Sequence, residues 1–526
     1  MEINKILAEE FKLRQEQVVN TVALIEDGKT IPFIARYRKE LTGSLDDQIL
    51  RELSDRLTYL RNLEIRKSEV SSSIAEQGKL TEEISSALDK AETLVEVEDI
   101  YRPFKPKRKT RASIAREKGL EVLADLIGRQ DDKLDLHNES QKFINVENGL
   151  ETEEEVIQGA SDIIAENVSD DAELRKSIRK LYEKAAKIES RASDENAETV
   201  YQNYYEFCEP VSKIADHRIL ALDRGEKEGA LKVSVSIDEE FCFSIAERKY
   251  VINNTDSGNI VKAAVQDSCK RLIMPSVERE IRAELTARAA EGAIKVFSSN
   301  LRQLLLQPPI KNSVTLGLDP AYRTGCKIAV VDSIGKVLDT TVIYPTPPQK
   351  KIEEAKTKLK KLITKYGVTT IAIGNGTASR ESEEFVAELI KEIPQNVSYM
   401  VVSEAGASVY SASKLAAEEF PEYDVSLRSA VSIARRLQDP LAELVKIDPK
   451  AIGVGQYQHD MPKARMNEAL SGVVEDCVNS VGVDLNTASY SLLAYISGIN
   501  SSVAKNIVKY REENGAFTDR KQLLKV

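Results

Sequence analysis

Two acidic residues, Asp319 and Glu404, each follow an apolar run of the kind that forms a buried β-strand. Hard divalent cations prefer oxygen ligands such as carboxylates. Hydrolysis of a phosphodiester on a sheet of this kind uses two such cations about 4 Å apart, held by three or four converging carboxylates. These two residues are therefore candidate ligands of a nuclease-type metal site.

The positions that would complete such a site carry no suitable acids. The fourth predicted strand ends in Gly374-Asn375-Gly376, where a glutamate is expected in resolvase-like nucleases. Asp439 and Glu443 lie beyond the next predicted helix, which spans residues 425–438. That helix contains no acid and carries three arginines instead, namely Arg428, Arg435 and Arg436.

We therefore expect a domain that keeps the fold of these nucleases but not their hydrolytic activity, because a fold does not by itself imply a function. We predict that the protein is not an enzyme, has no catalytic residue, and binds no metal or cofactor. Asp319 and Glu404 would then be vestigial remnants of a catalytic site. One alternative is a metal-dependent nuclease or resolvase that uses Asp319, Glu404 and a displaced acid. Another reading of Asp319 is an ordinary Asp-Pro turn at the end of a strand.

The elements around these residues predict their fold. Short apolar runs at 314–318, 326–331 and 337–343 are separated by turn-length gaps and indicate an antiparallel meander. A helix ending at Gly367, a buried strand, a helix over 380–392 and a second buried strand, "SYMVVS", follow. This order is that of ribonuclease H-like α/β domains.

A second candidate site lies near the C-terminal end, in "ISGINSSVAKNIVKYREENG". We predict a helix that ends at Gly498, a tight turn, and a second helix capped by a serine at 501 or 502. Backbone N–H groups at such a turn can hold a phosphate without reading the base. The candidate contacts are Gly498, Ile499, Asn500, Ser502 and Lys505. Asn500 departs from the usual glycine, but asparagine tolerates a left-handed backbone, so we expect the turn to survive. The alternative is a plain helical hairpin.

A third candidate site is basic. Between Arg102 and Lys118 the chain has eight lysines and arginines against one acid, Glu117. Two prolines are expected to keep its first half extended, and Tyr101 and Phe104 are expected to offer stacking faces. The predicted contacts with a phosphate backbone are Lys105, Lys107, Arg108, Lys109 and Arg111. A solvated, charged loop is the alternative.

Composition limits the class of protein. The 526 residues are 42% hydrophobic and 30% charged, with a formal net charge of −11. No apolar run approaches the ~20 residues that span a bilayer. Five cysteines stand singly, which argues against a zinc site or a disulfide framework. We expect a cytoplasmic monomer that does not contact a membrane.

We predict a multidomain, mainly α protein. It would contain a helical N-terminal region, one α/β ribonuclease H-like domain, and a C-terminal helix-hairpin-helix. The predicted boundaries are 1–200 for the N-terminal helical region, 201–310 for a central mixed and helical region, 311–445 for the ribonuclease H-like domain, and 446–526 for the helix-hairpin-helix domain.

Six ordered blocks carry a resemblance to a known family: "IPFIARYRKE", "YRPFKPKRKTRA", "TLGLDPAYRTGCKIAVVD", "VSEAGASVYSAS", "IGVGQYQHDM" and "ISGINSSVAKNIV". The sequence resembles the bacterial Tex family of transcription accessory proteins, which share their architecture with a eukaryotic elongation factor. The resemblance implies the helix-turn-helix, YqgF-type and tandem helix-hairpin-helix parts, and a C-terminal OB-fold that binds RNA. The OB-fold and most of the second hairpin unit are absent here, so we expect a C-terminally truncated chain.

Three functions remain open at this point. The first is a transcription accessory scaffold that binds RNA and DNA through phosphates with little sequence preference. The second is the nuclease described above. The third is a docking factor for RNA polymerase or the ribosome, in which the basic segments bind acidic protein surfaces.

Overall fold

The computed structural model describes residues 2–106, 109–194, 196–486, 488–496, 498–515 and 517–526. The chain divides into two compact units. One contains Met1–Val22 and Arg51–Gly292, and the other contains Ala23–Leu50 and Ala293–Val526. Among the described residues, no helix is long and apolar enough to cross a membrane.

The chain begins with a long series of helices, in agreement with the apolar periodicity of this region. They are α1 (Ile3–Phe11), α2 (Gln15–Glu26), α3 (Ile31–Tyr37), α4 (Lys39–Thr42), α5 (Asp47–Glu76), α6 (Glu82–Lys90), α7 (Leu94–Tyr101), α8 (Arg111–Glu117), α9 (Glu121–Arg129), α10 (Leu136–Gln141), α11 (Glu153–Ser169) and α12 (Ala172–Ala185), with 3-10 turns at Arg102–Phe104 and Val146–Asn148. The predicted leucine stripe is real, because Leu50, Leu53, Leu57 and Leu60 are all buried.

A small antiparallel sheet follows in the first unit. Its strands β1 (Lys187–Ala192), β2 (Glu206–Pro210) and β3 (Leu231–Ser236) are arranged in the order β2-β1-β3. Helices α13 (Asp216–Lys227), α14 (Glu239–Tyr250) and α15 (Asp256–Asp267) accompany it. A π-helical turn, Ser268–Ile273, leads into the long helix α16 (Met274–Leu305), which ends before Pro308 as predicted.

The second unit contains a five-stranded mixed sheet. Its strands are β4 (Thr315–Asp319), β5 (Cys326–Val331), β6 (Val337–Ile343), β7 (Thr370–Gly374) and β8 (Ser398–Val402), in the order β6-β5-β4-β7-β8. The first three form the predicted antiparallel meander, and β7 and β8 add parallel to β4. Helix α17 (Ile352–Tyr366) ends at Gly367 with φ 64°, and α18 (Ser379–Lys391) connects β7 to β8.

Helices cover both faces of this sheet. On one face, alternate strand residues pack against Leu359 and Ile363 of α17 and Phe385 of α18. Each such fully buried side chain stabilises the fold by roughly 1.5–3 kcal/mol. On the other face, helix α21 (Val425–Gln438) packs through Ala430 and Ala434.

The remaining helices of the second unit are short or belong to the C-terminal part. They are α19 (Ala407–Ser411), α20 (Lys414–Glu419), α22 (Pro440–Leu444), α23 (Lys463–Val481), α24 (Tyr490–Leu493) and α25 (Ser501–Asn514). The predicted helix over "DRKQLLKV" is a 3-10 helix, Arg520–Lys525, that Asp519 caps with Gln522.

The burial predicted for one strand was wrong. We predicted that "SYMVVS" is a buried strand, but β8 lies at the edge of the sheet and its first four residues are exposed. A run of apolar residues does not distinguish an edge strand from a central one, because its position depends on which strands pair. The elements otherwise agree with the predicted fold class: the protein is mainly helical and divides into compact units, with one α/β domain on a five-stranded mixed sheet and helices near its C-terminal end.

Candidate functional site

Asp319 lies where the sequence predicted it, at the end of β4. Its cross-strand partner is Lys327 of β5, and its carboxylate makes a hydrogen bond with Ser429 of α21. Burial, and to a lesser degree the charge of Glu404, raises the pKa of Asp319 to about 6, although Ser429 and Lys327 act in the opposite direction. A Cβ atom built at Gly374 would lie 2.6 Å from Glu404 Oε2 and 3.1 Å from Cδ of Pro320, the residue after Asp319, so both predicted carboxylates lie at this edge of the sheet.

Glu404 follows β8 and folds over the turn at the end of β7. The Gly376 N–H donates to its carboxylate, and the backbone N–H of Glu404 donates to Asn375 Oδ1 at 3.0 Å. A Cβ atom at position 376 would lie 1.6 Å from Glu404 Oε1, and one at 374 would lie 2.6 Å from Oε2. The glutamate therefore occupies the space that a side chain at the end of β7 would need.

The arginines of α21 bind backbone carbonyl groups within the domain. Arg428 donates to Phe420 O at 3.1 Å and Arg435 to Gly335 O at 2.7 Å. Arg436 is 3% exposed, and its Nη1 donates to Ser403 O and Ala405 O, each at 2.8 Å. Arg436 thus fixes the backbone on both sides of Glu404, and its charge opposes the rise in the Glu404 pKa that burial causes.

The two acids beyond α21 are engaged elsewhere. Asp439 caps α22 by accepting from the Ala442 N–H at 3.0 Å. Glu443 is 4% exposed, and it accepts from Lys446 at 2.7 Å and from Ser432 at 3.1 Å. Neither acid supplies a free carboxylate beside Asp319.

A pair of divalent cations does not fit this set of side chains. Within the part of the chain that the structure describes, no group of three or more His, Cys, Asp or Glu residues is placed to hold a metal ion. Two carboxylates, one bonded to Ser429 and the other to the Gly376 N–H, provide fewer oxygen ligands than the three or four that such a site needs.

The raised pKa of Asp319 gives a testable dependence of stability on pH. A buried acid with a raised pKa favours the protonated folded state, so its ionisation destabilises the fold as pH rises from about 4 to about 6. A rise in pKa from 3.8 to about 6 corresponds to about 3 kcal/mol, at ~1.4 kcal/mol per pKa unit. Because the side chain is only partly buried, we expect a smaller effect: Asp319→Asn should be more stable than the wild type above pH 6 by up to about 2 kcal/mol. The gain should disappear below pH 4, as measured by urea unfolding across this range.

Asp339→Asn is the matched control with the opposite sign. A hydrogen bond from Tyr366 lowers the pKa of Asp339, and Lys365 lowers it further. This group therefore stabilises the fold above its unfolded pKa, and the contribution is lost as pH falls. Equal pH profiles for the two variants would contradict the assignment for Asp319.

The hairpin between α24 and α25 forms near the predicted position, with corrections. Gly498 has φ 90°, as expected for a turn glycine, but α24 already ends at Leu493. Asn500 caps α25, accepting from the Val503 N–H at 2.9 Å, so neither serine is the cap. Its φ of −86° lies outside the left-handed region, so the turn forms without a left-handed backbone at this residue. Asparagine is as good an N-cap as serine, which is why Asn500 and not a serine caps this helix.

The predicted phosphate donors of the hairpin are only partly available. The Ile499 N–H donates to Ile496 O at 2.9 Å within the turn. Ser502 is exposed in the first turn of α25, where helical N–H groups lack intrahelical acceptors. Lys505 is exposed, and its Nζ lies 5.5 Å from the centroid of the Tyr490 ring.

The basic segment is only partly described. Lys107 and Arg108 lie outside the described residues, and Lys105 pairs with Glu98. Lys109 is exposed and lies 4.0 Å from Glu117. Arg111 is exposed at the start of α8 and lines a cleft of about 520 Å³ together with Asp162. The lysines at 105 and 109 are therefore partly neutralised by their own fold.

The first half of this segment differs from the prediction. Arg102–Phe104 is a 3-10 turn and not an extended segment. Tyr101 and Phe104 pack against the core that α5, α6 and α7 share, and the Tyr101 ring lies under the Arg66 and Lys105 cations. Neither ring is a free stacking face, because tertiary packing uses both.

Sequence reasoning missed Ser429 and the buried role of Arg436. A signal was present, since Ser429, Ile433 and Arg436 are spaced i, i+4 and i+7 and thus share one helical face. All three are buried, with 7%, 0% and 3% exposure. A serine and an arginine on an apolar face indicate polar partners beneath the helix.

Comparison with known families agrees with these elements. The Tex-like protein N-terminal domain matches residues 1–75, the Tex central region matches 131–297, and the Tex protein YqgF-like domain matches 313–438. A helix-hairpin-helix motif matches residues 478–526. The YqgF-like domain and the helix-hairpin-helix motif point to nucleic-acid binding.

Comparison with individual proteins extends over nearly the whole chain. The Bacillus subtilis protein YdcI is 52% identical over 98% of this chain and 72% of its own length. The transcriptional accessory protein Tex of Neisseria gonorrhoeae is 46% identical over 100% of this chain and 70% of its own length. The human S1 RNA-binding domain-containing protein 1 is 39% identical over 99% of this chain and 54% of its own length. The chain belongs to the Tex family.

Proposed function

We propose that this chain is a transcription accessory protein that binds RNA and DNA through their phosphates, with little sequence preference. The helix-hairpin-helix provides the principal contact, and the ribonuclease H-like domain serves as a platform without catalysis. The observation that carries the proposal is the start of α25, where a cap, a positive-φ glycine and an exposed lysine occur together.

The geometry of the hairpin supports phosphate binding. Gly498 turns the chain, and Asn500 Oδ1 accepts from the Val503 N–H, so that N–H needs no external acceptor. The first-turn N–H groups of the 14-residue helix α25 can then face an anion at the positive end of the helix dipole. Lys505, one turn later, adds a full charge.

The names of the relatives agree with this proposal. The gonococcal relative is named a transcriptional accessory protein, and the human relative is named for an S1 RNA-binding domain. We extend the first role to this chain as a scaffold. We do not extend the S1 RNA-binding domain to this chain, because the chain spans 54% of the human relative's length.

The lack of catalysis is part of the proposal. It is supported by the absence of an acid on α21 and by the engagement of Glu443 with Lys446. A metal-dependent nuclease is the second candidate, and the placement of Asp319 and Glu404 at the same edge of the sheet favours it. The test incubates labelled RNA, single-stranded DNA and duplex DNA with the chain and magnesium or manganese, and follows both retention and integrity of each probe.

Retention without cleavage, unchanged in Asp319→Asn, is the expected result. Cleavage that disappears in Asp319→Asn would overturn the non-catalytic assignment. Failure to retain any probe would overturn nucleic-acid binding by this chain. It would leave docking to RNA polymerase or the ribosome through the basic segments as the remaining function.

Variants of the hairpin test the binding mode. Lys505→Gln removes one phosphate contact, so the slope of log affinity against log salt should fall by about 0.9 on duplex DNA, with roughly eightfold weaker binding at 0.1 M salt. Gly498→Val forces a β-branched residue to φ 90° and should also weaken binding. Filter retention across a salt series measures both effects.

Lys509→Gln is the control on the same helix. Lys509 is 72% exposed in its side chain and lies 3.8 Å from Glu513, one turn beyond Lys505. A salt slope that falls equally in the Lys505 and Lys509 variants would mean that α25 attracts nucleic acid only through its general charge.

A further inference from the structure

Aromatic and basic side chains gather at the junction of α3 and α4. The Phe33 and Tyr37 rings lie 5.4 Å apart at 45°. Lys29 Nζ lies 6.0 Å from the centroid of the Phe33 ring, and the Arg38 guanidinium carbon lies 5.1 Å from it. Lys39 is the next residue and is exposed. We call these five residues the Tyr37 patch.

The backbone holds the Tyr37 patch in place from beneath. Ile34 of α3 is fully buried and anchors the helix. Arg38 interrupts the helices with φ −132° and ψ 29°, which turns the chain between Tyr37 and Lys39. Arg38 Nη1 donates to Tyr37 O at 2.8 Å, so the guanidinium is oriented beside the tyrosine before any ligand binds.

The Tyr37 patch also remains accessible. Tyr37 is 48% exposed, whereas Tyr101 of the basic segment packs into a core. Among the described residues, neither Lys29 nor Lys39 forms an ion pair, and the same is true of Arg38. The most basic run of the sequence differs, because Lys105 pairs there with Glu98.

An exposed ring flanked by unpaired cations fits one class of ligand well. Proteins that bind single strands stack bases on aromatic side chains and follow the backbone with lysine and arginine, and each stack contributes about 1–3 kcal/mol. We propose that the Tyr37 patch binds single-stranded nucleic acid, with one base stacked on Tyr37 and with Lys29, Arg38 and Lys39 at the adjacent phosphates. This inference rests on the proposed function and adds a site that contacts bases.

The Phe33 ring has a supporting role in this arrangement. Its position between Lys29 and Arg38 keeps both cations near the ring by cation–π attraction. Its contact with Tyr37 restricts the tyrosine rotamer, which lowers the entropy lost when a base binds. The preference for a single strand follows because a base inside a duplex has no free face to offer.

The test compares labelled single-stranded RNA, single-stranded DNA and duplex DNA by fluorescence anisotropy, with the full chain. We expect Tyr37→Ala to weaken binding of both single strands by roughly 5- to 150-fold, the equivalent of one lost stack, and to leave the duplex unchanged. Tyr37→Phe should bind like the wild type. Lys29→Gln, Arg38→Gln and Lys39→Gln should each lower the salt slope on single strands by about 0.7.

Tyr399→Ala is the control, because Tyr399 is a comparably exposed tyrosine, at 37%, on strand β8 of the same unit. Wild-type affinity of Tyr37→Ala for single strands would overturn this inference and leave the patch as a protein-docking surface. Equal losses in Tyr37→Ala and Tyr37→Phe would also overturn it, since stacking would not be the cause. If the wild type binds none of the probes, the proposed function fails together with this inference.

Discussion

Lys446→Met is expected to lower the free energy of unfolding by about 3–5 kcal/mol, because it removes one partner from a buried ion pair. The side chains of Lys446 and Glu443 are 5% and 4% exposed and lie 2.7 Å apart. Lys446 also lies 3.0 Å from Glu419. Methionine preserves most of the volume of the side chain, so the loss in stability measures the effect of leaving Glu443 without its lysine partner and not the effect of a cavity. Urea denaturation at pH 7 measures it.

The effect of Lys446→Met should depend on pH. Burial alone would raise the pKa of Glu443, but the charges of Lys446 and Arg435 outweigh it and hold the pKa below its usual value of 4.5. A group with a lowered pKa stabilises the fold above its unfolded pKa and loses this contribution as pH falls. The gap between wild type and variant should therefore narrow below about pH 4.5.

Lys358→Met is the matched control. Lys358 lies 2.9 Å from Glu354 on the surface of α17, with both side chains about half exposed, so its removal should cost far less. If Lys446→Met were as mild as this control, the pair at Glu443 would be solvated, and Glu443 would again be a candidate for the metal site.

Gly317→Val is expected to cost about 3 kcal/mol or more, at the upper end for overpacking. Gly317 lies in the middle of β4, where α21 crosses the sheet. A Cβ atom there would lie 2.2 Å from Ala430 O and 2.9 Å from Ala434 Cβ. The first contact is with backbone, so the whole helix must move away from the strand.

Thermal unfolding followed by circular dichroism measures the effect of Gly317→Val. Gly453→Ala is the control, because nothing lies within 4 Å of a Cβ added at Gly453. Displacement of α21 should also disturb the Ser429–Asp319 hydrogen bond, so the pH dependence predicted for Asp319 should weaken in Gly317→Val. A variant as stable as the wild type would mean that α21 does not approach the sheet this closely.

The candidate site shows how far patterns in the sequence reach. Strand ends are local, so the position of Asp319 after an apolar run and of Glu404 after another could be predicted. Their convergence depends on the order of strands in the sheet, β6-β5-β4-β7-β8, which the structure shows. The partners of Asp319 and Glu404 could not be predicted, because Ser429 and Arg436 are distant in sequence and reach the site only through the packing of α21.

The charged segments show the opposite case. The sequence contains a dense basic run at 102–118, but the fold partly neutralises it through Glu98 and Glu117. The sparser cations of the Tyr37 patch have no such partners among the described residues. Charge density along a chain is local, whereas the exposure of a charge depends on what packs against it.

The sequence by itself determined the elements and the family. Apolar periodicity predicted the meander, α17 and α21, and glycines such as Gly367 marked helix ends, because periodicity and backbone conformation are properties of neighbouring residues. Only the tertiary structure decided that β8 is an exposed edge, that Glu443 is paired with Lys446, and that Tyr37 is exposed while Tyr101 is not. Burial and pairing depend on contacts between residues far apart in the chain, and no local pattern specifies those contacts.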